Sequence, residues 1–337
     1  MSETTTAGTK AVRLHRNEDK STRVEFADLT DADLPSFPNG AVTVDVAWSS
    51  LNYKDALAVT GKGAIVKTWP MVPGIDLAGT VAASDDPAWA PGDPVVAMGW
   101  GLGETNWGGY GTRARVDAGW LLRLPAPWTA RQAMAIGTAG YTAALCVLAL
   151  KKHGLQAGDP VLVTGSAGGV GSIAVKLAAG LGYAVTASTG RTAEEPWLRT
   201  LGASAVVDRG ALSAPGRPLQ SEQWAGVVDT VGSHTLVNAC AQVRFNGAVA
   251  ACGLAQGADF PATVLPFILR GVTLYGINCV YVPNVLRLEA WELLGAHLDL
   301  PTLDGLTEEV ALSGIVEASH ALLDGKVRGR TVVDVGR

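Results

Sequence analysis

Cysteine is scarce in this chain, and its four residues are widely dispersed. Cys146, Cys240, Cys252 and Cys279 lie in apolar surroundings, and no two of them form a Cys-x-x-Cys pair. This spacing argues against a zinc–thiolate cluster, because the ligands of such a site come in closely spaced pairs. We therefore expect buried, reduced thiols in a cytoplasmic protein without a signal peptide.

Charged residues and long hydrophobic runs are scarce as well. Charged residues make up 17% of the chain, hydrophobic residues make up 48%, and the net charge is −5. This composition is typical of a globular protein with a sizeable core, and it gives no reason to expect nucleic acid or an anionic membrane as a partner. The apolar segment from Ala133 to Leu150 is short for a membrane span, and Gly137 and Gly140 interrupt it. We expect a buried helix, entered through a Gly-Thr-Ala-Gly turn.

A glycine-rich turn is the most informative feature that is present. The segment Val161-Leu-Val-Thr-Gly-Ser-Ala-Gly-Gly-Val-Gly171 ends an apolar run, helical spacing continues from Ser172 to Ala179, and a second apolar run spans Ala184 to Ser188. This order is typical of a dinucleotide-binding βαβ unit, in which glycines let the backbone approach a pyrophosphate at a helix N-terminus. The motif departs from strict G-x-G-x-x-G, so a turn that serves close packing only is the alternative.

The second strand lacks the acidic residue that would select NAD. An Asp or Glu at the end of that strand binds the ribose 2′-hydroxyl of NAD, whereas this chain has Ser188-Thr-Gly-Arg191 there. Hydroxyls and a guanidinium can hold a 2′-phosphate through charge-assisted hydrogen bonds. The sequence therefore predicts NADPH as the cofactor. The alternative is that Arg191 is an ordinary solvated residue.

The character of the chain changes near residue 129. We predict a disordered leader over residues 1–10 and a compact β-rich domain over 11–128, where Gly and Pro separate short strands. From 129 to 297, strands and helices alternate, which predicts an α/β fold with a doubly wound parallel sheet. Residues 298–337 hold a last helix and strand, and we expect them to return to the first domain. The predicted strands of the sheet are 160–164, 184–188, 204–207, 226–230, 247–252 and 272–277.

Several blocks resemble those of one superfamily. The blocks Asn52-Tyr-Lys-Asp-Ala-Leu57, Pro73-Gly-Ile-Asp-Leu-Ala-Gly-Thr-Val81 and Gly137-Thr-Ala-Gly-Tyr-Thr-Ala143 precede the glycine turn. They resemble the medium-chain dehydrogenase/reductase superfamily, in its quinone-oxidoreductase-like branch. Longer matches resemble the NADPH-dependent acryloyl-CoA reductases, and the resemblance covers nearly all of residues 11–337. These matches are Trp48-Ser-Ser-Leu-Asn-Tyr-Lys-Asp-Ala-Leu57, Ala251-Cys-Gly-Leu254 and Leu265-Pro-Phe-Ile-Leu-Arg270.

The resemblance implies an architecture and an assembly. It implies a GroES-like β-rich catalytic domain beside a Rossmann domain, with the active site in the cleft between them. It also implies dimers or higher oligomers, often formed through the last Rossmann strand, here around Val272 to Val280.

The ligands of the superfamily's zinc enzymes are missing. Those enzymes carry Cys and His in the early blocks, where this chain has Asn52 to Asp55 and Gly74-Ile-Asp76. The five histidines have no ligand spacing either. We therefore expect no metal. Carbonyl reduction would then lose its usual Lewis acid, so reduction of an activated C=C bond is the more natural chemistry.

The resemblance implies reduction of acryloyl-CoA to propionyl-CoA. Hydride from NADPH would reach the β-carbon of the thioester, negative charge would develop on the thioester oxygen, and the α-carbon would take a proton. Tyr53 is the first candidate for the proton donor, or it packs against the nicotinamide ribose. Asn52, Lys54 and Asp55 share its predicted loop, and Asp76 either orients a neighbour or is a turn residue.

Further contacts are carried over from the family motifs. Those for the pyrophosphate are Ser166, Ala167, Gly168, Gly169, Val170 and Gly171, and those for the 2′-phosphate are Thr189, Gly190 and Arg191. Arg209 is a candidate to stack on the adenine or to assist the 2′-phosphate contacts, Leu254 is one for the nicotinamide half, and Ile268 and Cys279 are candidates for the cofactor or a subunit contact. Arg209 and Leu254 have plain alternatives as a surface charge and a core residue.

The acyl-CoA substrate and the activity itself both leave alternatives open. A coenzyme A groove needs cations for its phosphates, and Lys62, Lys67 and Arg113 are the candidates. The alternatives to acryloyl-CoA reduction are an NADPH:quinone or general enone reductase of the same branch and a non-catalytic NADPH-binding protein.

Overall fold

The computed structural model describes residues 8–37 and 40–337. It divides into two compact units, the first up to Thr138 with a return from Leu303 to the C-terminus, and the second from Ala139 to Thr302. The predicted boundaries at 128/129 and 297/298 lie earlier in the chain than these. The first of them differs because the first turns of a helix that begins at Ala130 belong to the first unit.

The predicted leader needs a correction at its end. Thr9 and Lys10 already belong to the first strand, which pairs with the second strand along its whole length, and Thr9 is buried. The remainder of the leader, residues 1–7, lies outside the described residues.

The helices and strands follow one another along three stretches of the chain. The first stretch contains β1 (Thr9–Arg16), β2 (Thr22–Leu29), β3 (Ala41–Leu51), α1 (Tyr53–Thr60), β4 (Asp76–Ser84), β5 (Pro94–Met98), β6 (Arg113–Asp117), β7 (Leu122–Arg123) and α2 (Ala130–His153). The middle stretch contains β8 (Pro160–Thr164), α3 (Gly169–Gly180), β9 (Ala184–Thr189), α4 (Glu195–Thr200), β10 (Ala205–Asp208), α5 (Gly210–Ser213), β11 (Trp224–Asp229), α6 (Ser233–Gln242), β12 (Val243–Ala251), α7 (Leu265–Arg270), β13 (Thr273–Gly276) and α8 (Asn284–His297). The last stretch contains α9 (Leu300–Gly305), β14 (Thr307–Ala311), α10 (Ile315–Leu323) and β15 (Arg330–Asp334).

The first unit is built on a sheet of order β14-β15-β3-β4-β5-β7, with β6 also paired to β3, and on the hairpin of β1 and β2. Along β3, Val44 and Val46 are buried on one face while Asp45 between them is exposed, as the alternation of a half-buried strand requires. The C-terminal strand β15 pairs antiparallel with β3. The prediction that the tail returns to the first domain is therefore confirmed.

The second unit contains a six-stranded parallel sheet of order β10-β9-β8-β11-β12-β13. The chain starts in the middle at β8 and winds outward in both directions, so the prediction of a doubly wound sheet is confirmed. Val161, Leu162 and Val163 of β8 are fully buried, because helices cover both faces of such a sheet. The prediction missed α8, which follows the last strand.

The long apolar segment is a helix, as predicted, but its glycine turn is not the entry. Helix α2 begins at Ala130, and Gly137 interrupts it with φ 50° and ψ −166°. By length and composition, α2 alone in the described part of the chain is apolar enough to cross a membrane, and 83% of its most apolar window is buried inside the protein.

The thiols follow the prediction only in part. All four cysteines are free, and Cys146 and Cys240 are buried, but Cys252 and Cys279 are partly exposed. The two partly exposed residues lie shortly beyond the ends of sheet strands, in the loops that follow β12 and β13.

Candidate functional site

The glycine turn presents free backbone donors at the start of α3. Gly165 follows β8 with φ +61°, and Gly168 precedes the helix in extended conformation. The backbone N–H of Ser172 donates to the carbonyl of Gly168 (3.0 Å), and this is the first hydrogen bond of the helix. The amides of Gly169, Val170 and Gly171 therefore have no partner inside the helix, and they point towards its N-terminal end, where an anion is favoured.

Gly171 is required by a close approach of backbone to backbone. A Cβ there would overlap the carbonyl oxygen of Gly165 and lie 2.7 Å from the Cα of Ser166. Glycine at this position thus allows the N-terminal residues of α3 to pack directly on Gly165 and Ser166.

Ser166 and Ser188 differ in what their hydroxyls do. The Ser166 hydroxyl is buried, within hydrogen-bond distance of the carbonyl oxygens of Val163 (2.6 Å) and Ser188 (3.1 Å), so it ties two strand ends together. It is therefore occupied internally rather than free for a pyrophosphate. The buried Ser188 hydroxyl has no hydrogen-bond partner among the described residues.

Two arginines lie around the end of β9, one of them bonded to the glycine turn and the other packed over Gly190. Arg191 donates from Nη2 to the carbonyl of Ala167 (2.8 Å), and its backbone N–H donates to the Thr189 hydroxyl (3.0 Å). Arg209 lies over Gly190, where a Cβ would sit 2.5 Å from its Nε. Thr189 and Arg191 are thus brought together at the strand end with Arg209 close to Gly190, and a hydroxyl with guanidiniums is a set of groups that suits a phosphate.

The remaining predicted cofactor residues lie at the surface. Leu254 follows β12 and is 58% exposed, which excludes a core role, and Ile268 in α7 is 68% exposed. Cys279 is partly exposed beyond β13. These three side chains are therefore accessible to a ligand or to a second subunit.

The predicted loop around Tyr53 is a helix, so that prediction is wrong. Helix α1 begins at Tyr53, and the backbone N–H of Asn52 donates to the Asp55 carboxylate (2.9 Å), as at a capped N-terminus. Within this helix, Lys54 donates to Glu104 (2.8 Å). Tyr53 is 46% exposed, which leaves its side chain accessible.

Asp76 is the centre of a buried polar cluster in the first unit. It is the first residue of β4 and is fully buried, so its interpretation as a turn residue is wrong. Its carboxylate accepts from Ser50 Oγ (2.5 Å), Asn52 Nδ2 (2.9 Å) and the backbone N–H of Thr138 (2.8 Å). The Thr138 hydroxyl donates to the other carboxylate oxygen (2.5 Å). An aspartate so enclosed can orient neighbours but cannot touch a substrate.

The cluster also contains a second carboxylate and one cation. Burial raises the pKa of Asp55 to about 7, and the nearby charge of Asp76 adds to the effect, while hydrogen bonds from Asn52 and Ile75 oppose it. Arg330 on β15 is buried beside them, and burial lowers the pKa of its guanidinium. Tyr110 completes the group, with its hydroxyl donating to the carbonyl of Ser50 (3.1 Å).

Sequence reasoning missed several members of this cluster. Ser50 and Thr138 lie within the quoted blocks, so a signal for them existed. Arg330 and Tyr110 stand in segments without a motif, and only the pairing of β15 with β3 brings the arginine to the cluster.

The structure also describes the surroundings of the possible metal ligands and of the candidate cations for coenzyme A. Within residues 8–37 and 40–337, no group of three or more His, Cys, Asp or Glu residues could hold a metal ion. Among the candidate cations, Lys62 is exposed and Lys67 donates to the carbonyl of Ala64 (2.6 Å). Arg113 pairs with Asp45 (2.9 Å) and Asp31 (3.2 Å), so its charge is already neutralised.

Comparison with known proteins agrees with both units. The family model "Alcohol dehydrogenase GroES-like domain" matches residues 38–126, and "Zinc-binding dehydrogenase" matches 169–295. The acrylyl-CoA reductase AcuI of Ruegeria pomeroyi is 47% identical, with 95% of this chain and 97% of the relative covered. The putative quinone oxidoreductase YhfP of Bacillus subtilis is 40% identical, with 96% and 98% covered, and its crystal structure has NAD bound (TM-score 0.91).

A solved structure matches both units in one chain. The yhdH oxidoreductase from Salmonella enterica, crystallised in complex with NADP, has a TM-score of 0.93 and 46% identity, with 96% of this chain and 99% of that chain covered. The fold is therefore a GroES-like unit and a Rossmann unit. The chain belongs to the medium-chain dehydrogenase/reductase superfamily, and within it to the family of the AcuI acrylyl-CoA reductases.

Proposed function

We propose that this protein reduces the C=C bond of acryloyl-CoA to give propionyl-CoA, with NADPH as the reductant. The observation that carries the cofactor assignment is the hydrogen bond from Arg191, just after β9, to the glycine turn at Ala167, with Arg209 packed over Gly190. An acidic residue at this place would repel a 2′-phosphate, whereas two guanidiniums bind it. The names of the AcuI relative and of the NADP complex support the substrate and the cofactor.

The residues of the second unit would hold the cofactor in two places. The amides of Gly169, Val170 and Gly171 would bind the pyrophosphate, and Thr189 with the two guanidiniums would bind the 2′-phosphate. When bound, NADPH supplies the hydride that the β-carbon of the thioester receives.

The first unit would supply the proton. Tyr53 is accessible and carries a hydroxyl, so it holds the proton that the α-carbon of the substrate takes up. Asn52 and Asp76 act differently, because both side chains are buried and hydrogen-bonded within the cluster. Asp76 fixes Asn52, and Asn52 fixes the start of the helix that bears Tyr53.

A quinone or general enone reductase is the second candidate, and two observations favour it. The YhfP relative carries the name of a quinone oxidoreductase, and Arg113, one candidate for a coenzyme A phosphate, is neutralised by Asp31 and Asp45. Such an enzyme would use the same cofactor residues but no coenzyme A groove.

A side-by-side assay distinguishes the two candidates. NADPH oxidation is followed with acryloyl-CoA, crotonyl-CoA and a benzoquinone, and the products are identified by mass. We expect the highest kcat/KM with acryloyl-CoA and a product with the mass of propionyl-CoA. A preference for the quinone would establish the second candidate, and NADPH binding without turnover of any substrate would indicate a binding protein.

We further propose a cytoplasmic homodimer. Among the described residues, strand β13 pairs only with β12, so its other edge is open. Large hydrophobic side chains that flank this strand in the chain are exposed, namely Ile268, Leu269 and Tyr281. An open edge with apolar flanks is suited to pairing with a second copy. Light scattering at micromolar concentration tests this, and a monomeric mass would contradict it.

A further inference from the structure

We propose that Arg330 is a positioning residue for the reduction, which rests on the proposed function. It fixes the side chain of Asn52, and through Asn52 it fixes the start of the helix that bears Tyr53. The residue lies on β15, at the far end of the sequence from α1, and it belongs to neither the glycine turn nor any quoted block.

Each of the three guanidinium nitrogens of Arg330 donates a hydrogen bond. Nε donates to the carbonyl of Ala135 (2.8 Å), Nη2 to that of Met134 (3.5 Å), and Nη1 to Oδ1 of Asn52 (3.2 Å). The residue is only 3% exposed. Burying a guanidinium is costly unless neighbouring groups compensate for the lost water, and here two carbonyls and a nearby carboxylate do so.

These contacts leave the Asn52 amide with one orientation. Its Oδ1 faces Arg330, and its Nδ2 donates to the carboxylates of Asp76 (2.9 Å) and Asp55 (3.1 Å). A flipped amide would place NH2 against the cation and a carbonyl against two carboxylates, which is unfavourable on both sides. Since the Asn52 backbone N–H is also bound by Asp55, the residue that precedes Tyr53 is held by both its side chain and its backbone.

The space for this arrangement depends on a glycine. At Gly137, a Cβ would lie 2.7 Å from Nη2 of Arg330 and 2.8 Å from Oδ2 of Asp76. The break in α2 at this glycine therefore makes room for the cation and the carboxylate together. The break and the arginine act together, because the carbonyls that Arg330 binds belong to Met134 and Ala135, in the helical turn that precedes Gly137.

A merely structural role would tie β15 to α2 and nothing more. The positioning role makes a distinct prediction, because the titratable groups of the cluster are Asp55, Asp76, Tyr110 and Arg330, and their charges act on one another. Loss of the cation would raise the pKa of Asp55, and protonation of Asp55 would weaken the acceptor that holds Asn52. Turnover should therefore change in its pH dependence as well as in size.

The test compares Arg330→Gln and Arg330→Lys with Arg337→Gln as the matched control. Arg337 lies near the end of the same chain segment, but its side chain is 66% exposed and pairs with Glu309 and Asp334 instead. We expect Arg330→Gln to lower kcat by about tenfold or more, with the KM for NADPH changed by less than about twofold. The acid limb of its kcat profile should move to higher pH.

Arg330→Lys separates charge from geometry. It keeps the charge but cannot bind Asn52 and two carbonyls at once. We therefore expect a lower kcat with the acid limb at its original pH. Arg337→Gln should behave as the unmodified protein. An unchanged kcat and pH profile in Arg330→Gln would overturn the proposal.

A second readout does not depend on activity. Amide hydrogen exchange in the peptide that contains residues 52–58 should be faster in Arg330→Gln than in Arg337→Gln, and unchanged exchange there would overturn the proposal. If the unmodified protein reduced none of the three substrates, the proposed function would fail, while this exchange measurement would still test the role of Arg330.

A double-mutant cycle covers the case in which Arg330→Gln does not fold. Arg330→Lys and Asn52→Ala are measured alone and together. If Arg330 acts through Asn52, the combined loss of kcat will be smaller than the product of the two single losses. Losses that multiply would overturn the proposal.

Discussion

The guanidinium of Arg191 donates to the backbone carbonyl of Ala167 at 2.8 Å. This contact joins the end of the second Rossmann strand to the glycine turn that follows the first. As a result, the guanidinium is held at the turn that leads into α3. The residue that we propose to distinguish the two nicotinamide cofactors is thereby bonded to the turn that we propose to bind the pyrophosphate.

Replacing Arg191 with Gln should weaken the preference for NADPH. The change removes a charge-assisted contact to the 2′-phosphate, so we expect kcat/KM for NADPH to fall by about 10- to 100-fold while that for NADH changes little. Steady-state kinetics with both cofactors measures it. Arg199→Gln is the control, because Arg199 is an exposed arginine that pairs with Glu195. An equal loss for both cofactors would contradict the assignment.

Replacing Gly171 with Ala should damage both packing and cofactor binding. The new Cβ would overlap the Gly165 carbonyl and force the N-terminus of α3 away from the glycine-rich loop that precedes it. We expect a lower Tm and a loss of NADPH affinity by calorimetry. Gly295→Ala in α8 has open space for its Cβ and should gain about 0.5–1 kcal/mol in stability. Wild-type affinity in Gly171→Ala would show that the close approach is dispensable.

Replacing Tyr53 with Phe separates the two roles assigned to this side chain. If the hydroxyl donates the proton, kcat should fall by about 100-fold or more with KM for NADPH unchanged. Packing of the ring against the nicotinamide ribose predicts an unaffected kcat instead, because Phe keeps the ring. Steady-state kinetics beside the unmodified protein measures the change. An unchanged turnover number would remove the donor role.

Asp55 should make stability depend on pH near neutrality. Its folded pKa of about 7 lies above the ordinary carboxyl value of 3.8, so the folded protein binds this proton more tightly than the unfolded chain. Its contribution to stability is therefore complete below the ordinary value and is lost as the pH rises through about 7.

The comparison of Asp55→Asn with the unmodified protein measures this effect. Relative to the unmodified protein, the variant should become more stable between pH 5 and pH 8, as judged by the free energy of unfolding in urea. The exposed Asp19 has a lowered pKa, so Asp19→Asn should show no such trend. A difference that stays constant across this range would refute the raised pKa.

The Rossmann unit could be predicted in detail, because its signals are local. Each buried parallel strand is a short apolar run, and the glycine turn joins strand to helix within a few residues. The family blocks supplied the class of the first unit. The helix at Tyr53 was not recognised, since its N-terminal cap depends on the side chain of Asp55 acting on the backbone of Asn52, in a block interpreted as a loop.

The buried cluster could not be predicted, because its members are far apart in the sequence. Arg330 reaches Asn52 only after β15 has paired with β3, and Thr138 reaches Asp76 only after the break at Gly137 has turned the chain. The charges of such a cluster are compensated across the fold. A single sequence does not record which carboxylate faces which cation.

Transfer of isotope from the cofactor to the product tests the central claim most directly. NADPH that carries deuterium at C4 on the transferred face is supplied with acryloyl-CoA in ordinary water, and the position of the label in the product is determined by NMR. The account predicts propionyl-CoA with deuterium at C3 and none at C2, because hydride enters at the β-carbon and the α-carbon takes its proton from a protein hydroxyl or water. Label at C2, or a reduced product without label from either face of the cofactor, would contradict it.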